Sequence, residues 1–381
     1  MEILISMSSL KLFGNYQEVL VILFFILFFY MLYRFKRIVF NVNLLVLIGF
    51  SLTYYLISLK YSQDVSQISI YCILAYYIGL MLVAVNKNKD KCIIKYTYAI
   101  AIGFFIHAML NYLVNVNSDS RNTIDFWTHG VKSASLQAIM LTMIMGTSFF
   151  SLICLKEKWK KIIFLICILF AILYDLILST RTLLIVGGIS IAISFIMFVI
   201  LNYKNNRQEI NRCLKTIFFL MLFVFIFYSI NFLGIKNVVN ESNFSARMRK
   251  IDTTEVDKDR VETQILSIGS LFEYPMGGNN EEIGNLKYAH NMWFDVAKQA
   301  GIIPFVLLVS FFVINLRNLF NLIKNPKVSC GLRIFLVGIY VAVLLNFFVE
   351  PIMQGEPLFF IMFCMVMGMV DERRIFDIHK V

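Results

Sequence analysis

The sequence predicts an all-α, polytopic bundle of transmembrane helices carrying one large extracytoplasmic loop. Three observations predict it. Hydrophobic residues fill 59% of the 381 positions and charged residues only 15%, with a mean hydropathy of +0.75. Soluble domains carry roughly 45–50% apolar and about 25% charged residues. Apolar runs of about 20 residues, the length that crosses a bilayer as a helix, recur along almost the whole chain. Lysine and arginine collect in alternate breaks between those runs. In a soluble protein the formal charge of +11 would suggest a nucleic-acid partner. Here basic cytoplasmic loops account for it, and no nucleic acid is expected.

The apolar windows place eleven helices near 17–33, 38–58, 68–85, 95–116, 133–154, 162–178, 182–202, 216–234, 301–316, 334–349 and 358–370. A short helix before residue 17 would make twelve. The breaks at 34–37, 86–95, 156–161, 203–215 and 317–333, with the tail 371–381, hold most of the 35 Lys and Arg residues. Short loops of that kind face the cytoplasm. With eleven spans the N-terminus is expected outside and the C-terminus inside. Three regions follow: helices of residues 1–234, an extracytoplasmic loop at 235–300, and helices with a cytoplasmic tail at 301–381. No repeat of a solenoid period is visible. The seven cysteines form no C-x-x-C pair, so neither a disulfide framework nor a zinc site is expected.

The outer side breaks its own pattern at 235–300, which is far longer and more polar than the other loops. Loops of this length are usually functional or disordered. This one opens with "NESNFSARMRKIDTTEVDKDR", which carries Arg247, Arg249 and Arg260. Val261, Ile265, Ile268, Leu271 and Phe272 then recur at helical spacing, a stripe that predicts a helix lying on the bilayer or on the bundle. After the turn-rich "PMGGNNEEIGN" comes "YAHNMWFDVAKQAGIIPFVLL", where His290, Asn291, Trp293 and Phe294 precede the next apolar helix. A histidine there serves as a cap or packing residue, or as a proton acceptor.

A second anomaly is Arg181 in "LILSTRTLLIVGG", an arginine in a tight outer turn on the side that is otherwise poor in basic residues. It either snorkels to the interface or binds an anion in a cavity. Three further groups have bland readings beside sharp ones. His107 lies mid-helix and reads as a buried hydrogen-bonding residue more than as a proton carrier. Asp175 reads as a bundle pairing partner more than as a base. Arg121, Asp125 and His129 either line an acceptor path or sit in a solvated loop.

"LSTRTLLIVGG", "DRVETQILSIGSLFEYPMGG" and "HNMWFDVAKQAGIIPFVLL" occur in this order on one membrane face. With them the chain, over roughly residues 160–370, resembles the O-antigen ligase and polymerase superfamily of bacterial surface polysaccharide assembly. The Pro-Met-Gly-Gly element departs from the family's Pro-x-Gly-x-Gly-like pattern. The resemblance implies a metal-independent glycosyltransferase of the bacterial inner or plasma membrane, with no cofactor and with its site on the periplasmic or extracellular face. Its donor is an oligosaccharide on polyprenyl pyrophosphate. Its acceptor is a second lipid-linked repeat. Membrane lipid and a chain-length regulator protein are the remaining partners.

On that reading Arg181 and Arg260 grip and neutralise the departing pyrophosphate, since arginine forks bind phosphate oxygens and stay ionised. His290 takes the proton of the attacking hydroxyl, or orients the acceptor. Arg247 and Arg249 support the pyrophosphate or meet anionic headgroups. Asn291, Trp293 and Arg121 contact substrate, Trp293 by stacking on sugar or by anchoring at headgroup level. A direct, inverting displacement is the simplest mechanism. Transfer to a lipid A core sugar, the ligase reaction, stays open because the acceptor leaves no mark in the sequence. A flippase would instead line a central cavity with charge. A glycosyltransferase using an early-loop aspartate would rely on Asp64, which has no acidic partner in its loop.

Overall fold

The computed structural model describes residues 2–10, 17–35, 40–61, 68–115, 122–178, 180–203, 206–231, 254–278 and 288–378. The chain is an all-α, multi-pass membrane protein. In chain order its helices are α1 (Glu2–Ser9), α2 (Gln17–Phe35), α3 (Val42–Lys60), α4 (Ile68–Val85) and α5 (Lys89–Asn115). A small antiparallel hairpin follows, β1 (Asn122–Ile124) with β2 (Val131–Ser133), in which Thr123 pairs with Lys132. Next come α6 (Ala134–Ile139), α7 (Thr142–Phe149, continued to Cys154 by a π-helical turn), α8 (Lys158–Leu178), α9 (Thr182–Asn202) and α10 (Arg207–Ser229). The last set is α11 (Thr254–Glu273), α12 (Met292–Ala300), α13 (Ile302–Lys324), α14 (Cys330–Val349), α15 (Ile352–Gly355) and α16 (Pro357–Ile378).

Among the described residues seven of these runs are long and apolar enough to cross a bilayer: α3, α5, α6 with α7, α8, α9, α13 and α14. Helices also occupy the predicted windows at α2, α4, α10 and α16. In α2 and α4 the apolar stretch is shorter, Ile22–Tyr33 and Ile70–Val85. α8 shows what surrounds the bundle. Ile162, Ile166, Leu169, Leu173 and Ile177 lie exposed along one stripe, while Phe164, Ile168, Ala171, Asp175 and Leu178 are buried. A water-facing helix would have the opposite pattern, so this stripe faces lipid.

Close backbone approach builds the centre. α4 and α16 cross where Gly79 faces the Met365 carbonyl and Gly368 faces the Tyr76 carbonyl, and a Cβ on either glycine would overlap that backbone. Small residues allow such contact where lipid offers no hydrophobic drive between helices. Nearby, the fully buried Asp371 carboxylate accepts from Asn43 (2.8 Å), Tyr76 (2.5 Å), Asn315 (2.9 Å) and Asn318 (2.9 Å). Those donors come from α3, α4 and α13, so a single polar group fastens four helices.

α1 is a short helix before residue 17. It packs along α5 with Glu2 paired to Lys95, Ser6 donating to the Ala99 carbonyl (2.9 Å) and Ser9 against Gly103, which makes the two helices parallel. Glu2 therefore lies at the same end of the bundle as the start of α5. Eight residues at 1.5 Å rise cannot span a bilayer, which is why α1 leaves no apolar window in the sequence.

Candidate functional site

The stretch around His290 is held by a set of backbone clips. Pro275–Gly278 docks on the end of α12: Gly278 donates to the Gln299 carbonyl (2.9 Å), and Ile302 donates to the Pro275 carbonyl (2.9 Å). Gly277 and Gly301 have φ of +77° and +81°, and a Cβ on Gly277 would stand 2.5 Å from the Ala300 carbonyl carbon. Only glycine combines that conformation with that approach. "PMGG" and "KQAG", separate motifs in the sequence, are thus two halves of one joint.

Asn291 caps α12, accepting from the backbone N–H groups of Trp293 (3.1 Å) and Phe294 (3.3 Å) and donating to the Phe348 carbonyl (3.3 Å). Asp295 reaches back, one carboxylate oxygen accepting from Ala289 N–H (2.7 Å) and the other from Asn291 N–H (3.2 Å). Burial pushes the Asp295 carboxyl up to about 6, although both N–H groups and the nearby His290 and Lys298 work the other way. His290 sits between the two clasped residues at φ +51°, a left-handed conformation that costs a non-glycine residue about 1–3 kcal/mol. The hydrogen bonds on either side hold it there. Asn291, not His290, is the cap.

That backbone turn aims His290 at Glu350. Its Nδ1 lies 3.8 Å from Glu350 Oε2; the histidine side chain is 23% exposed and the glutamate 1%. Neither atom has a hydrogen-bond partner. The other Glu350 oxygen accepts from Thr182 Oγ1 (3.3 Å), the first residue of α9. Glu350 therefore lies between the His290 turn and the Arg181–Thr182 turn, bonded to the second and facing the first. Arg181 itself has a buried Nε without a partner. Asp175 does not pair with it; that carboxylate accepts from Thr180. Arg181 makes no ion pair among the described residues.

α11 brings a third motif to the same place, because Gln264 donates to the Ala289 carbonyl (3.4 Å) beside His290. Arg260 lies one helical turn earlier on α11. Its side chain, together with Arg121, Arg247 and Arg249, lies outside the described residues. Of the predicted apolar stripe of α11, Ile265, Ile268 and Phe272 are exposed, while Leu271 is buried together with Thr263, Ser267 and Ser270. Of the two seats expected for it, the exposed face fits the bilayer.

Two expectations change. Trp293 is buried and packs edge-on against Phe312 (4.5 Å between ring centroids) and tilted against Phe348 (5.8 Å). Both ring contacts are internal, so the residue anchors α12 and offers no open face for a sugar. Asn291 likewise spends its side chain on the cap.

A second polar cluster lies in the hairpin. Lys132 bridges Asp125 (3.4 Å) and Glu356 (2.5 Å), and Asp125 also meets His107 Nε2 (3.2 Å). Burial alone would raise the Asp125 carboxyl. The His107 hydrogen bond, the Lys132 and His107 charges and the Thr128 N–H outweigh it and hold the group well below the usual carboxylate range. Asp125 and His107 are thus buried and committed to the fold, as the bland reading of His107 has it.

Glu350, Thr182, Asp295, Lys132 and Glu356 were not singled out from the sequence. A signal existed for Glu350: in "NFFVEPIMQGEP" it is an acid placed directly where an apolar run ends, before a proline. No model of a known protein family matches this chain, and no curated protein matches it.

Proposed function

We propose that the chain is a bacterial inner- or plasma-membrane polysaccharide polymerase of eleven membrane spans. It would transfer a glycan from polyprenyl pyrophosphate to the terminal sugar of another lipid-linked repeat. The observation that carries this reading is Glu350, which sits between His290 on one side and the Arg181–Thr182 turn on the other. A base facing a carboxylate, beside an arginine with no ion pair among the described residues, suits displacement of an anionic leaving group.

In the proposed step Glu350 faces Nδ1 and so favours the proton there, leaving Nε2 to accept one. The acceptor hydroxyl gives its proton to Nε2 as its oxygen bonds to the anomeric carbon. The bond from that carbon to the pyrophosphate oxygen breaks, and the pyrophosphate leaves with the electron pair. Arg181, with Arg260, balances that charge. Glu350 stabilises the imidazolium formed.

The test uses purified protein in proteoliposomes with a defined lipid-linked repeat. A ladder of longer glycans and stoichiometric release of polyprenyl pyrophosphate are expected. A folded protein that gives neither product would refute the reading. Product only with a lipid A core acceptor would make it a ligase.

A further inference from the structure

A crevice on the flank of the bundle, remote from His290, is left unused by that reaction. α5 forms its floor, with α1 and α8 as its walls. α5 and α8 meet through rings, Tyr98 with Phe164 at 4.6 Å and Phe105 with Phe170 at 5.4 Å between centroids. Side-chain size sets the distance between helix axes, so bulky rings keep these two apart. α1, only eight residues long, fills part of the opening. What remains is a groove of about 1000 Å³ whose lining includes Ile3, Met7, Ile94, Ala99, Ile102 and Ile163.

One end of this apolar groove is charged. Lys91, Lys95 and Lys160 line it together with Trp159. Glu2 offsets Lys95, and Glu157 lies 3.1 Å from Lys160. Lys91 has no ion-pair partner among the described residues, and exposed Lys156 and Lys158 add charge beside the rim. These residues belong to the two basic breaks, 86–95 and 156–161, that face the cytoplasm. Trp159 is 61% exposed, at the level where membrane aromatics meet headgroups.

We propose that this groove binds an anionic phospholipid of the cytoplasmic leaflet. One acyl chain lies along α5 between α1 and α8, and the phosphate sits at Lys91 and Lys160. Basic pockets between transmembrane helices on this side hold anionic headgroups. A zwitterionic lipid brings the same chains without net charge, so the lysines supply the discrimination. The assignment is independent of the reaction at His290.

Trp159 can report it. The chain has 3 tryptophans, so Trp127→Phe with Trp293→Phe leaves Trp159 as the only emitter. The full chain is placed in phosphatidylcholine vesicles with increasing amounts of acyl-brominated phosphatidylglycerol, or of acyl-brominated phosphatidylcholine. Half-quenching by the anionic lipid is expected at about fivefold lower mole fraction. Lys91→Gln with Lys160→Gln should bring the two curves together while leaving quenching itself intact. Ala99→Phe should weaken quenching by both lipids without touching the charge. Identical curves in the wild-type background would overturn the proposal, as would a preference that survives the lysine changes. So would an unquenched Trp159 in protein of dimeric mass, which would give the groove to a second copy.

Discussion

At the scale of single residues, the legible features were those that violated a rule. On the predicted topology Arg181 stands on the side that should lack arginine, and His290 interrupts an apolar approach. Glu350 violates nothing, since acids commonly end membrane helices, and only the folded chain places its two oxygens toward two separate motifs. The packing of Trp293 is illegible for a related reason: its type suggests an interface, but its ring partners Phe312 and Phe348 are remote in sequence. Two predictions belong here. Glu350→Gln keeps size and the bond from Thr182 but loses the charge facing His290, so turnover should fall by about 10²-fold, as misaligned groups do, with donor binding retained. Chain growth and donor binding, measured separately, decide it. Equal loss in both would make Glu350 a structural tie only. Arg181→Lys keeps the charge and loses the fork. Long polymer should fall sharply while protein levels stay near normal, and normal polymer would reduce Arg181 to an interfacial anchor.

At the scale of elements, the helix periods were readable and the joints were not. The α11 stripe was visible, whereas the docking of Pro275–Gly278 on Ala300–Gly301 depends on backbone hydrogen bonds that no periodicity encodes. The Asp295 clasp yields a pH prediction. Its folded value near 6 stands above the ordinary 3.8, so between those values the folded chain binds more protons than the unfolded one. Its contribution to stability is therefore greatest below about pH 4 and is lost as pH rises through about 6. The stability cost of Asp295→Asn should be larger at pH 4 than at pH 7 by thermal unfolding in detergent. A cost independent of pH would refute the assignment. At the helix crossing, Gly79→Leu must push α4 from α16, since its Cβ already meets the Met365 carbonyl. Loss of monodisperse folded protein is expected, against little change for Gly188→Ala, whose Cβ meets open space.

At the scale of the whole molecule, composition and the grouping of basic residues suffice to read an all-α membrane protein, because the bilayer permits few alternatives. α1 escaped because it is too short for any hydropathy window. The orientation is testable with all native cysteines replaced: Lys158→Cys and Lys327→Cys should resist an impermeant thiol reagent in intact cells, and Glu273→Cys should react. Labelling at Lys158→Cys without permeabilisation would invert the topology. The central claim is that His290 moves a proton in glycan transfer. The most direct measurement compares His290→Ala and His290→Gln with wild type, purified and supplied with a defined lipid-linked repeat, following chain growth and donor binding separately. Turnover should drop by about 10²–10⁴-fold with donor binding preserved. Near-normal turnover in both variants would contradict the account.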